Sequence, residues 1–368
     1  MSRFGISLAG PEDDAQLCMR MAQDLMEGDI AVSFRRDPSF FAGCPLQGEV
    51  TQVVKCTDHE TGTIIGLGSR STLAAWVDRE RSRIGYLADL RLAPEHRGGL
   101  LLARGYCFLR KLHLSDPVPF YTTVIYEGNS PALGTLTGGR VGLPLYRDWG
   151  RLLTPAIHLD LPVRQIPAPG VEIEHGNPQR LPGIVAFLNR WQRDKQFSPC
   201  YREEDFAGGR FAGLAPENFF LALRRGRIVG TVAAWDQSSL RQAHVERYSG
   251  MMRWLRPAYN VLARLTPLKP LPVPGARIPF VYLACLATED NDVEVFRHLL
   301  RAAHERLRQG PWHYAIAGLH ESDPLAKALS EFRSISAAGR LFVVHFADNP
   351  LAIETASRRT PYIEAGCL

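Results

Sequence analysis

The same order of elements runs through this chain twice, and that recurrence limits the folds open to it more than any other feature. Residues 3–9 read as a strand, and PEDDAQLCMRMAQDLM follows as a helix whose acidic first turn complements the helix dipole. Three β-rich runs, 51–56, 63–78 and 83–92, are joined by turn-forming residues in the pattern of an antiparallel meander. LLLARGYCFLRKLHL then places Leu101, Phe108 and Leu112 at helical spacing, FYTTVIYE reads as a buried strand, and Asn129 opens a short helix through Leu136. Residues 152–159 are expected to close this sheet. Beyond a proline-rich stretch, VEIEHG and NPQRLPGIVAFLNRWQRD again read as strand and helix. FFLALRRGRIVGTVAAWD is a hairpin turning at Arg225-Gly226, FVYLACLA a strand, DVEVFRHLLRAAHERLRQ a helix, and HYAIAGLHESDPLAKALSEF strand, loop and helix. The repeat lies in element order, not in residue identity. It predicts two tandem α/β domains, each with a mixed α+β sheet: residues 1–160, a linker at 161–170, and residues 171–368.

Composition narrows the function classes. The net charge of +5 is a mild basic excess, mostly arginine, that suits an anionic ligand and falls short of a nucleic-acid-binding tail. Seven scattered cysteines with no C-x-x-C pair read as free thiols of a reducing compartment. With neither a signal pattern at the amino end nor an apolar run of membrane-spanning length, the expectation is a cytoplasmic protein with no integral membrane segment. Histidines show no metal-ligand spacing: His298 and His304 sit six residues apart on one helix, on different faces. No metal is expected.

An insertion at about 249–275, RYSGMMRWLRPAYNVLARLTPLKPLPVPG, is helical in its first half and proline-rich in its second, with Met251, Trp254, Leu255, Leu262 and Leu265 interleaved with arginines. Such a helix lies on a membrane or an acidic partner, or braces its own protein.

The segment with chemical content is GYLADLRLAPEHRGGLLLARGYCFLRK, residues 85–111. A strand ends at Leu92, a turn holds Pro94, and Arg97-Gly98-Gly99 opens a helix. Glycines let backbone approach a ligand, and the free amides of a first helical turn cradle a pyrophosphate, with Arg97 adding positive charge. From physics alone the segment is an anion site or an ordinary structural helix start.

The run Leu90-x-Leu92-x-Pro94-x-x-Arg97-Gly98-Gly99 resembles the coenzyme A signature of the GNAT superfamily of N-acetyltransferases, where an L-x-V-x-P strand leads into an R-G-x-G-x-G/A loop. Asn129-Ser130-Pro131-Ala132, after the FYTTVIYE strand, is similar to the family's Asn-x-x-Ala element. The resemblance implies acetyl-CoA or another acyl-CoA as co-substrate, held along Leu90, Arg91 and Leu92, on the loop Arg97, Gly98, Gly99 and Leu100, and beside Asn129. The reaction implied is attack of an amine, expected to be a small molecule, on a thioester carbonyl. Leu100 and Leu102 stand where an ungapped match would put two loop glycines, and a one-residue gap restores Gly99. The tyrosine that protonates the leaving thiolate in many members falls at Leu136, so that role is vacant or has moved. Asp89 orients or deprotonates the amine, or is a local hydrogen-bond acceptor; Tyr126, Tyr121 and Tyr146 are candidate acids or packed aromatics.

The second copy reads Thr288-Glu289-Asp290-Asn291-Asp292 at the equivalent loop, with carboxylates where a pyrophosphate needs cations. It is expected to be degenerate, shaping the substrate cleft or a homodimer surface. Two alternatives keep the fold: a catalytically idle binding or regulatory module, and an enzyme taking its acyl group from an acyl-carrier protein or aminoacyl-tRNA.

Overall fold

A computed structural model describes residues 2–348 and 359–368. Its first half holds β1 (Phe4–Leu8), α1 (Asp14–Gln23), β2 (Leu25–Met26), β3 (Ile30–Arg35), β4 (Val50–Asp58), β5 (Thr63–Val77), β6 (Glu80–Leu92), α2 (Leu101–Ser115), β7 (Tyr121–Tyr126), α3 (Ser130–Thr137), β8 (Leu145–Leu153) and β9 (Ala156–His158). The second half holds β10 (Glu172–His175), α4 (Leu181–Gln192), α5 (Glu203–Phe206), β11 (Phe219–Arg224), β12 (Arg227–Trp235), β13 (Gln242–Tyr248), α6 (Met252–Leu265) and β14 (Phe280–Thr288). It continues with α7 (Val293–Arg308), β15 (Tyr314–Ala317), β16 (Leu319–His320), α8 (Ala326–Leu329), β17 (Ser334–Ile335) and β18 (Ala338–His345).

The strands form an eight-stranded sheet ordered β1-β4-β5-β6-β7-β18-β8-β16, a seven-stranded sheet ordered β10-β11-β12-β14-β15-β9-β17, and a small sheet β13-β3-β2. The predicted meander and hairpin form through tight turns. Asp78-Arg79 joins β5 to β6, and Arg225-Gly226 joins β11 to β12, all four residues at positive φ as a two-residue hairpin turn that follows strand twist requires. In each large sheet an antiparallel run is followed by one parallel pair, β6 with β7 and β14 with β15, spanned by the crossover helices α2 and α7. In the first sheet, Tyr106 and Leu109 of α2 bury against Leu87, Tyr121 and Ile125, while Leu17 and Met21 of α1 pack with Val53 and Ile64 on the other face.

Residues 161–170 contain no helix or strand, yet the sheets do not divide at that point. β18, from the end of the chain, inserts between β7 and β8 in the first sheet, and β9 leaves the first half to pair with β15 and β17 in the second. The expected closing strand at 152–159 is thus split between two sheets. β13 also pairs with β3 across the halves. Each copy completes its hydrogen-bond ladder with a strand from the other, so neither sheet is finished by its own stretch of sequence.

Candidate active site

β6 and β7 hydrogen-bond in parallel only at Gly85–Tyr121 and Tyr86–Thr122, then separate, although β6 runs on to Leu92 and β7 to Tyr126. The separation starts at a bulge. Ala88 pairs with Ser69 and Arg91 with Leu67, so Asp89 and Leu90 together face Gly68, and Asp89 takes a left-handed φ of 58°. Edge groups of β6 beyond the bulge are left facing a V-shaped opening.

At the mouth of this opening lies the Pro94–Leu100 corner. Gly98 has φ 82°, and a Cβ built on Gly98 or Gly99 would meet nothing within 4 Å. No side chain caps α2 at Leu100, which is exposed. Its first-turn amides have no side-chain acceptor among the described residues, the arrangement that binds phosphate. Three guanidiniums converge on one carboxylate beside the loop: Asp24 lies 2.8 Å from Arg20, 3.2 Å from Arg97 and 3.7 Å from Arg91. The formal excess of two positive charges favours a diphosphate there.

Below the corner, between α2 and the sheet, runs a cleft of about 710 Å³ counting its open mouth. Its walls are almost wholly apolar, with Leu87, Leu90 and Leu92 from β6 and Leu101, Leu102 and Leu109 from α2. Gly105 of α2 leaves it wide, since a Cβ there also meets nothing within 4 Å.

Asp89 does not project into this space. Arg36 Nη2 donates to both its carboxylate oxygens at 2.8 and 2.9 Å, and Gln47 Nε2 and Ser69 Oγ donate at 2.8 and 2.9 Å. The ion pair is buried, with side chains 2% and 8% exposed. Burial alone would raise the Asp89 carboxyl; Arg36 and Arg241 outweigh it and hold the group below the usual carboxylate range.

The three tyrosines separate cleanly. Tyr121 is buried, its hydroxyl accepting from Arg70 Nε at 3.0 Å and lying 3.0 Å from His113 Nδ1. Tyr146 and Tyr106 share a hydroxyl–hydroxyl bond of 2.5 Å, and burial pushes both phenols up. Tyr126, at the open end of β7, is 46% exposed, and its hydroxyl has no hydrogen-bond partner among the described residues. It alternates with Thr122 and Val124 on the face away from α2, the face that packs on Ile363 and Leu368. Asn129 caps α3 through a bond from Ala132 N at 3.2 Å, so its side chain is spent on starting the helix that borders the opening.

The second copy repeats this frame and fills it. β14 bulges where Cys285 and Leu286 together face Val232, with Cys285 at φ 54°. Residues 361–368 occupy the adjoining opening: Glu364 accepts from Cys285 N at 2.9 Å and Tyr362 Oη from Leu286 N at 3.1 Å. Glu364 is 1% exposed and also accepts from Tyr362 at 3.0 Å, and burial holds its carboxyl above the ordinary glutamate range. The first turn of α7 is closed too, since Asp292 accepts from Glu294 N and Val295 N. An acid of the chain takes the place an anionic ligand would need. Sequence reasoning found the acidic loop and missed the plug, because nothing local in PYIEAGCL marks it as the occupant of a distant cleft.

No family model and no curated protein matches the sequence. Solved structures do match. Saccharomyces cerevisiae N-myristoyltransferase with bound myristoyl-CoA superposes with a TM-score of 0.62 at 11% identity, over 99% of this chain and 90% of that one. The GCN5-related glucosamine N-acetyltransferase region of a fungal multi-domain GH3 β-N-acetylglucosaminidase gives 0.61 at 11% identity, over 93% of this chain and 38% of that one. A GCN5-related N-acetyltransferase from Sphaerobacter thermophilus gives 0.56 at 10% identity, over 93% and 96% of the two chains. These likenesses span both halves, whose sheets carry the same bulge and the same parting of parallel strands: the protein has the GNAT fold, twice in tandem.

Proposed function

We propose that the first copy, within residues 1–160 and completed by β18, is an acyl-CoA-dependent N-acyltransferase whose acyl group is a hydrocarbon chain longer than acetyl. One observation carries this reading. Beside the free edge of β6 lie an uncapped, positively flanked helix start and, under α2, an apolar cleft, while in the second copy the chain itself fills the corresponding strand opening and caps the corresponding helix. A cleft of this polarity takes the hydrocarbon part of a ligand. The neighbouring yeast N-myristoyltransferase structure holds myristoyl-CoA, in keeping with that choice of donor.

In this reading the pyrophosphate sits on Gly98, Gly99 and Leu100 with Arg97 alongside, the pantetheine arm follows the backbone of Leu90, Arg91 and Leu92, and the acyl chain enters beneath α2. Held in this way, the thioester carbonyl lies by the Asp89–Leu90 bulge, whose amides are free of side-chain partners among the described residues and polarise it. The amine, proposed as a small molecule, attacks from the face shared by Tyr126. The C–N bond forms as the C–S bond breaks; Tyr126 supplies the proton to the thiolate, and the proton lost by the attacking nitrogen passes to the Tyr126 phenolate, restoring the phenol. Asp89 acts as a positioning residue, fixing the bulge through Arg36, Gln47 and Ser69 rather than taking a proton.

The test is thiol release from acetyl-, octanoyl-, dodecanoyl- and hexadecanoyl-CoA against a panel of amines. Amine-dependent release with a longer acyl donor and little with acetyl-CoA supports the reading. Release that never depends on an amine, with any donor, removes it.

A further inference from the structure

α6 is mounted inside out. Met251, Trp254, Leu255, Val261, Leu262 and Leu265 recur at three- and four-residue spacing and so lie on one face of the helix, and all are exposed, Trp254 by 76% and Leu265 by 82%. The polar face is the one held to the protein. Arg256 Nε donates to Pro272 O at 3.0 Å, Asn260 Nδ2 to Leu271 O at 3.0 Å, and Leu271 N returns a bond to Asn260 Oδ1 at 2.8 Å. A helix bracing its own protein would bury its apolar stripe, and this one spends its hydrogen-bonding residues to keep that stripe outward.

The charge around the stripe specifies what covers it. From Arg247 to Arg277 the chain carries Arg247, Arg253, Arg256, Arg264, Lys269 and Arg277 and no acidic residue, and of these Arg247 pairs with Glu27. These six positive charges exceed the net +5 of the whole chain, so the remainder is close to neutral. Arg253 and Arg264 are exposed together along one side of the stripe. Apolar side chains with an exposed tryptophan, flanked by Arg253 and Arg264, match the interface of a bilayer carrying anionic lipid. Among the described residues no helix is long and apolar enough to cross a membrane, so the contact is in the plane of the surface.

We propose that α6 docks the protein on anionic lipid bilayers, its apolar stripe entering the headgroup boundary and its arginines pairing with lipid phosphates. This stands apart from the reading of the cleft, and it is tested without any acyl donor. The full-length protein is floated with vesicles of phosphatidylcholine alone and of phosphatidylcholine with phosphatidylglycerol. Flotation is expected with the anionic vesicles and much less with the neutral ones, falling as salt is raised. Leu262→Glu should abolish it, and Arg253→Gln with Arg264→Gln should lower partitioning about 25-fold, near fivefold per charge removed, each with an unchanged melting temperature. Absence of flotation with anionic vesicles overturns the proposal. So does flotation unaffected by Leu262→Glu, or a self-associated wild type that becomes monomeric with Leu262→Glu, which would assign the stripe to a second copy of the chain.

Discussion

Asp89 and Cys285 hold the same place in the two sheets: each is a left-handed residue, φ 58° and 54°, at a bulge in the strand leading to a copy's crossover helix. Beyond Cys285 the neighbouring opening is stopped by Glu364 and Tyr362, whereas the strand that carries Asp89 leads to an uncapped helix start with an apolar cleft beneath it. The duplication thus persists in backbone geometry that the residue identities have lost.

The plug should act as a structural element with its own pH signature. Because burial holds the folded Glu364 carboxyl above the ordinary glutamate range, the folded state binds its proton more tightly than the unfolded state. Its contribution to stability is therefore full below the unfolded value and is lost as pH rises from there through the raised folded value. Urea unfolding from about pH 4 to pH 7 should show wild-type stability falling relative to Glu364→Gln. A difference that rises with pH would contradict this assignment.

Asp89→Asn should destabilise the protein by about 3–5 kcal/mol, since it leaves Arg36 buried beside Arg241 without a compensating charge. Chemical denaturation checks the value. A loss under ~1 kcal/mol, with activity abolished, would instead return Asp89 to the role of proton acceptor.

Tyr126→Phe should lower the rate of thiol release by about 10²-fold while leaving acyl-CoA affinity and melting temperature unchanged, because its hydroxyl supports nothing in the fold. Tyr121→Phe should do the reverse. It leaves Arg70 Nε without its partner at 3.0 Å in a buried site, a cost of about 1–3 kcal/mol in stability.

Affinity should climb with acyl length, by about 0.8 kcal/mol or fourfold for each methylene buried, until the cleft is full. Gly105→Leu projects a side chain into the cleft from α2. It should flatten this dependence and reduce preference to short chains, and the change should not destabilise, since replacing a mid-helix glycine removes about 1 kcal/mol of backbone entropy cost.

Much of the first copy's candidate site was legible because its signals are local. The strand, the Pro94 turn, Gly98-Gly99 and the first turn of α2 are consecutive residues, so their chemistry shows in sequence order. The acids at 289–292 likewise declared the second loop unfit for phosphate, and Asp292 closes α7 as they imply. What stayed hidden depends on distant partners. Nothing near Ala338–His345 shows that this strand completes the first sheet, nor near Tyr362 and Glu364 that they fill the second opening. The three tyrosines looked equivalent until Arg70, His113 and Tyr106 were found to claim two of them. Asp89, singled out for its place before the signature strand, proved to be held by Arg36, which lies 53 residues earlier in the chain.

The central claim, one open copy and one stopped copy, is tested most directly by calorimetric titration with a thioether analogue of dodecanoyl-CoA, which cannot react. One molecule bound per chain, with binding lost in Gly105→Phe and unaltered in Asp292→Ala, is the expected result. Two molecules per chain, or full binding by Gly105→Phe, would contradict the account.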